Sequence, residues 1–313
     1  MSLTLVTVLF DLARRNPNTR RSMDWLIENG QQVLALDRPM VIFTEKHLIG
    51  KLAHARAVLG LYHKTRFIPM EFEELPHYQV WRSQELHLID NRNGDKDHID
   101  NFSINWEKPD LIARVASENP FSTSHIGWIN LGIQNVKVFD SIGWEEAFDP
   151  PDQVRIHQQR YLNATIVNDP DFYKWGRCVI AGGFLTGSTR AIFEFAEDFY
   201  EEFNRALRMG RGPGDEDVIG TLLVRNPEKY VVSYGDYGQL LCNAKRPRWG
   251  GGTLEWRYNY SLYWMIKTAI DYNDLPWAAN LWHQIMNSKR DGFFADDTTP
   301  IEQFRDLLEP VRT

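Results

Sequence analysis

Two cysteines stand in 313 residues, Cys178 and Cys242. A pair of thiols builds neither a disulfide framework nor a four-sulfur zinc site, so a reducing compartment is expected. A basic excess is missing too. Lys and Arg number 35 against 42 Asp and Glu, a net charge of −7, which argues against a general nucleic-acid binder. No apolar run reaches the roughly 18–20 residues that a membrane span needs. Leu3 to Phe10 is apolar but short, has no basic stretch before it and runs straight into Asp11, so it reads as a buried strand and not as a signal peptide. A soluble, cytoplasmic protein without a transmembrane segment is the expectation. The missing motifs narrow the chemistry. No Gly-x-Gly-x-x-Gly follows the first apolar run, and no phosphate-loop signature, Gly-x-Ser-x-Gly elbow or zinc-protease His pair occurs. What remains is chemistry carried by carboxylates and backbone.

Hydrophobic residues make up 43% and charged residues 25%, the balance of a folded globular chain. Tryptophan is abundant, with 11 residues. Such rings serve either as packing anchors or as flat platforms for the C–H faces of a sugar. The basic cluster Arg14, Arg15, Arg20 and Arg21 suits either a solvated helix face or an anionic group.

The hydrophobic pattern alternates between strand and helix. Thr4 to Phe10, Met40 to Phe43 and Arg66 to Met70 read as strands, with helices across Arg21 to Leu36 and His47 to Tyr62. That order predicts a doubly wound α/β layout. Asn91 to Asp97 reads as a loop, Pro109 to Ser117 as a helix with proline near its start, and His125 to Asn130 and Val136 to Phe139 as strands. Cys178 to Ala181 reads as a strand that ends on Gly182 and Gly183. Ser188 is placed to cap a helix running to about Met209, and Asp215, Glu216 and Asp217 open another that runs to Arg225. Val231 to Tyr234 is a last strand, and residues 255–313 read as a Trp-rich, mostly helical tail broken at Pro276 and near Asp291.

Open α/β sheets bind ligands beyond the carboxyl ends of their strands. Four places qualify: Asp11, Thr44, Asn130, and the pair Gly182 and Gly183. The acidic triplet at 215–217 has two readings. It complements the dipole of a helix start, or it supplies working carboxylates.

Several segments, in order, resemble the HtrL/YibB-type family: Thr4 to Asp11, Pro39 to Thr44, Lys108 through Phe121 to Gly132, Ala181 to Gly187 and Gly214 to Asp217. The resemblance spans roughly residues 3–243 and implies a nucleotide-sugar transferase of the GT-A fold. The last two segments also resemble retaining galactosyl- and N-acetylgalactosaminyltransferases. That likeness implies Asp215 on the transferred sugar and Glu216 beneath its anomeric carbon, with Gly182, Gly183 and Asp217 on the acceptor side. Thr7, Phe10, Asp11, Thr44, Lys108 and Asn130 would meet a nucleoside diphosphate donor, UDP-linked, with the Phe10 ring either stacking on the base or packing in the core. Where the family typically carries Trp-Ile-Asp, this chain has Trp128-Ile129-Asn130. A neutral amide is a weaker ligand for Mn²⁺ or Mg²⁺, so Asn130 either binds metal with Asp236 or Asn243, or the diphosphate is met by Lys108, Arg114 or Lys245.

The expected organisation is therefore a GT-A-like catalytic domain over residues 1–250, a doubly wound mixed sheet, with a helical extension over 251–313 packed on it. The expected activity is sugar transfer to a hydroxyl of a glycan acceptor, with retention if Glu216 acts as the resemblance implies. Two other readings stay open. One is a binding protein of the same fold without catalysis; the other is an assembly protein using its Trp-rich tail.

Overall fold

The apolar runs become strands because a sheet covered on both faces asks for continuous rather than alternating hydrophobicity. The computed structural model describes residues 2–16, 19, 22–89, 98–133, 151–174, 178–237, 240, 260–291 and 298–311. In chain order the strands are β1 (Leu3–Leu9), β2 (Met40–Thr44), β3 (Thr65–Pro69), β4 (His87–Leu88), β5 (His125–Ile129), β6 (Val154–Gln158), β7 (Phe184–Ser188), β8 (Arg211–Gly212) and β9 (Tyr230–Tyr234). Seven of them form one mixed sheet in the order β3-β2-β1-β5-β7-β6-β9, and β4 pairs with β8 apart from it. Within the large sheet β7 runs against both neighbours, and the other pairings are parallel. The expected mixed α/β sheet is thus present.

The longer helices are α1 (Lys46–Val58), α2 (Ile99–Glu118), α3 (Thr189–Arg208), α4 (Asp215–Arg225), α5 (Tyr260–Asp271) and α6 (Leu275–Arg290). Ser188 caps α3 as expected, its side chain accepting from the Ala191 N–H. The helix expected over Arg21 to Leu36 is two short pieces, Met23–Glu28 and Gln31–Leu34. Between them lies Gly30, where an added Cβ would sit 2.6 Å from Leu131 Cγ. The helix expected to begin at Pro109 begins at Ile99 instead. Proline is tolerated at the cost of one backbone bond, and the His98 ring accepts from the Asp100 N–H at the helix start. The Cys178 run is not a strand. It holds one isolated bridge, Gln158 to Ile180, and the strand follows it at Phe184.

Two apolar layers flank the sheet. The smaller gathers Leu5, Leu9, Val33, Leu34, Leu48 and Leu52. The larger runs from Val6 and Trp106 through Phe199 to Leu262, Met265, Trp282 and Ile285, so α5 and α6 share a core with the α/β layers. Tyr161 donates to Asp274 at 2.7 Å and packs edge-on against Trp277 at 4.8 Å, a further tie to the tail. The expected boundary at 250/251 lies outside the described residues, as do Val136 to Phe139 and the loop at 91–97. Trp81, Trp106, Trp128 and Trp282 are buried, which gives these four the packing role. Arg15 is neither solvated nor open to an anion. It lies over the Phe72 ring and bonds Asp100, Glu73 and the Tyr78 hydroxyl, while Arg14 pairs with Asp11. Arg20 and Arg21 lie outside the described residues.

Candidate active site

The reversed strand decides where the cleft forms. Because β7 is antiparallel to β5, Phe184 at its start lies beside Ile129 at the end of β5. Gly182 and Gly183 therefore reach the carboxyl edge of the sheet from the opposite chain direction. They precede a strand, where the sequence suggested that they follow one. A cavity of about 540 Å³ opens at this edge. That volume falls in the range of roughly 300–1,000 Å³ common for small-molecule sites.

Lys108 is the hub. It stands on α2, its side chain 5% exposed, and its ammonium donates to Asp215 Oδ2 at 2.7 Å and to the Gly182 carbonyl at 3.1 Å. Asp215 is the first residue of α4, where the helix dipole favours a carboxylate. Glu216 Oε1 accepts from the Gly182 N–H at 3.0 Å. The Trp106 indole donates to the Pro213 carbonyl at 2.7 Å and pins the turn that leads into α4. The glycines are required by crowding. A Cβ on Gly182 would lie 2.8 Å from Asp215 Oδ2 and 3.1 Å from Glu216 Cγ, and one on Gly183 would lie 2.4 Å from the Tyr237 hydroxyl.

Asn130 follows β5. Its N–H donates to the Gly183 carbonyl at 2.8 Å, and its side-chain oxygen accepts from the Trp128 indole at 2.7 Å. Tyr237 also bonds Asn130, and burial, followed by the charges of Glu216 and Asp215, holds that phenol above the ordinary tyrosine range.

The cleft thus brings together Phe10, Lys108, Asn130, Gly182, Asp215, Glu216 and Asp217. It leaves out Thr7, Asp11, Thr44, Gly183 and Asp236, none of which lines it. Thr7 is wholly buried within β1. The Thr44 hydroxyl donates to the Leu9 carbonyl at 2.7 Å. The Asp11 N–H donates to Glu45 at 2.7 Å, and its carboxylate pairs with Arg14 at 3.0 Å. Gly183 lies behind the floor, spending its carbonyl on Asn130. The Asp236 carboxylate accepts from Ser261 on α5. Arg114 pairs with Glu118 along α2, while Asn243 and Lys245 lie outside the described residues.

Several lining residues were not foreseen. Asn101 and Asn105 stand four apart on α2 and, with the foreseen Lys108 at i+7, line the cleft as one polar stripe. Helical spacing carries that signal once the helix is started at 99. Trp25, Gln159, Cys178 and Tyr237 complete the polar and aromatic lining. Tyr237 follows the end of β9 and Gly235, a strand-end signal of the same kind as the four that were read.

Residues 1–105 match the profile of a family described as "Bacterial protein of unknown function (HtrL_YibB)". The match carries the first two resembling segments, and the later ones lie beyond it. No curated protein matches the chain significantly. Among solved structures the chain is similar to mouse xyloside xylosyltransferase 1 in its apo form, with 12% identity and a TM-score of 0.43, covering 74% of this chain and 85% of that one. It is also similar to the galactosyltransferase LgtC in complex with donor and acceptor sugar analogs, with 11% identity and a TM-score of 0.41, covering 74% of this chain and 73% of that one. No helix among the described residues is long and apolar enough to cross a membrane.

Proposed function

We propose that the cleft binds a UDP-linked sugar and transfers its hexosyl or pentosyl group to a hydroxyl of a glycan acceptor. The observation that carries this reading is Glu216 held on the Gly182 N–H beside the Lys108–Asp215 pair, at the carboxyl edge of the sheet. A carboxylate fixed by a backbone donor suits a centre that gains positive charge as a diphosphate leaves. Glu216 stands beneath the anomeric carbon and supports retention, Asp215 accepts from a sugar hydroxyl, and Asp217 and Gly182 border the acceptor. Trp25 offers a ring to the base or sugar, and Asn101 and Asn105 offer amides to its hydroxyls, while the Phe10 ring is buried against Phe72 and packs in the core.

A resident Mn²⁺ or Mg²⁺ does not fit the residues assigned to it. The Asn130 oxygen is engaged by the Trp128 indole, and the Asp236 carboxylate accepts from Ser261 and is not among the residues that line the cleft. Lys108 is the cation among the described lining residues, and it stabilises the departing diphosphate.

The test is donor hydrolysis with a panel of nucleotide sugars, read as released free sugar. Slow release from at least one UDP-sugar is expected. Glu216→Gln abolishes it while UDP binding persists in a thermal-shift assay. Silence with every donor sinks the transferase. The same Asn130 contacts favour a second reading, a nucleotide- or glycan-binding protein without turnover, which would give UDP or glycan binding without sugar release.

A further inference from the structure

We infer that His77, Glu107 and Asp110 form a divalent-cation site outside the cleft, with zinc the ion that suits it best. Each offers one ligand atom, and these atoms lie within 4.8 Å of one another. Glu107 and Asp110 stand three apart on α2 and so share a face. His77 comes from the segment before the short helix Tyr78–Arg82. Its ring is held in place, stacked on Trp81 at 4.8 Å and tilted against Tyr200 at 4.9 Å.

A second observation points to a ligand. Glu107 is wholly buried, and while its Oε1 accepts from the His77 N–H at 2.6 Å, its Oε2 has no hydrogen-bond partner among the described residues. An unpaired buried carboxylate oxygen is costly, and a cation would satisfy it. Access is open, since the His77 and Asp110 side chains are 34% and 36% exposed. His77 Nε2 and Asp110 Oδ2 lie 2.9 Å apart, a separation that two ligands of one ion can keep. Two carboxylates balance the double charge. The imidazole nitrogen favours zinc over magnesium or calcium. The bound ion would tie the 71–82 segment to α2 one residue before Lys108, which makes it a brace for the cleft wall. The site stands on its own residues and does not depend on sugar transfer.

The test uses the full chain, stripped with chelator and titrated with zinc chloride alone. Metal content is read by mass spectrometry and stability by thermal denaturation. One equivalent is expected, with a Tm rise of about 5 °C at a hundredfold excess over Kd. Asp110→Asn can still accept a hydrogen bond from His77, yet it should bind zinc at least tenfold more weakly. Glu216→Gln should bind as the unaltered chain does, which separates this site from the cleft carboxylates. The competing arrangement is a proton on Glu107 beside an ordinary His77–Asp110 pair, and it gives no zinc-dependent rise. That result, or equal zinc binding by Asp110→Asn, overturns the site.

Discussion

Replacing Lys108 with methionine tests the hub of the cleft, because the side chain keeps its length and loses its charge and donors. The ammonium and the Asp215 carboxylate are 5% and 8% exposed, so solvent does little to screen them. Removing one member of a buried pair costs about 3–5 kcal/mol, since the other charge is left without compensation. The Gly182 carbonyl also loses a donor at 3.1 Å. In a chain of this size each kcal/mol moves the melting temperature by about 2 °C, so Lys108→Met should lower it by about 6–10 °C. Lys108→Met combined with Asp215→Asn removes the uncompensated charge and should recover about 2 kcal/mol of the sum of the two single effects. Urea denaturation of the four proteins measures this coupling directly, provided the m-value is unchanged. A single loss below about 1 kcal/mol, the range of exposed pairs, or additivity across the cycle would refute a buried and mutually dependent pair.

Gly183→Ala places a methyl 2.4 Å from the Tyr237 hydroxyl, and it should cost about 1–3 kcal/mol in a thermal melt; an unaltered melt would show that the floor yields. Arg56→Met should cost about 3 kcal/mol, because the buried guanidinium donates to the carbonyls of Leu34, Leu36 and Arg38, and equal denaturant midpoints would contradict that role. Glu202 contributes to the acid limb of stability. Burial pushes its pKa up, but bonds from Arg205 and Tyr173 and the charge of Arg225 outweigh that and hold it below the usual value. Its contribution is therefore present above the unfolded pKa, about 4.3, and is lost as pH falls through the lower folded value. Glu202→Gln should flatten the fall in melting temperature below about pH 4.3, and an unchanged acid limb would count against it.

Elements were legible in the sequence where one force dominates. The runs at Thr4, Met40 and His125 are buried on both faces of the sheet, so hydrophobicity alone specifies them. The cap at Ser188 and the start at Asp215 are local chemistry and were equally plain. Pro109 misled, because proline is judged by its missing N–H, while its neighbours Trp106, Leu111 and Ile112 are buried and hold the helix through it. The strand-end rule chose Asn130, which lines the cleft, and passed over the end of β9, after which Tyr237 lines it too. It failed at Asp11 and Thr44, whose polar groups are spent on Arg14, Glu45 and the Leu9 carbonyl. Sequence shows that a strand ends in a polar residue. Which partner takes that residue is settled by packing between distant segments.

The direction of β7 shows the same limit at the scale of the sheet. An all-parallel sheet presents one kind of terminus at its carboxyl edge, and its loops carry whatever chemistry the site has. With β7 reversed, the Gly182 N–H and the Gly182 and Gly183 carbonyls arrive at that edge as well. The N–H meets Glu216, and the two carbonyls take the Lys108 ammonium and the Asn130 N–H. Both partner elements are fixed independently, Lys108 by a 20-residue helix and Glu216 by the first turn of α4. A backbone segment without side chains is what lets them converge. The pair of glycines, legible from the start as punctuation, owes its position to a strand direction that no local pattern encodes.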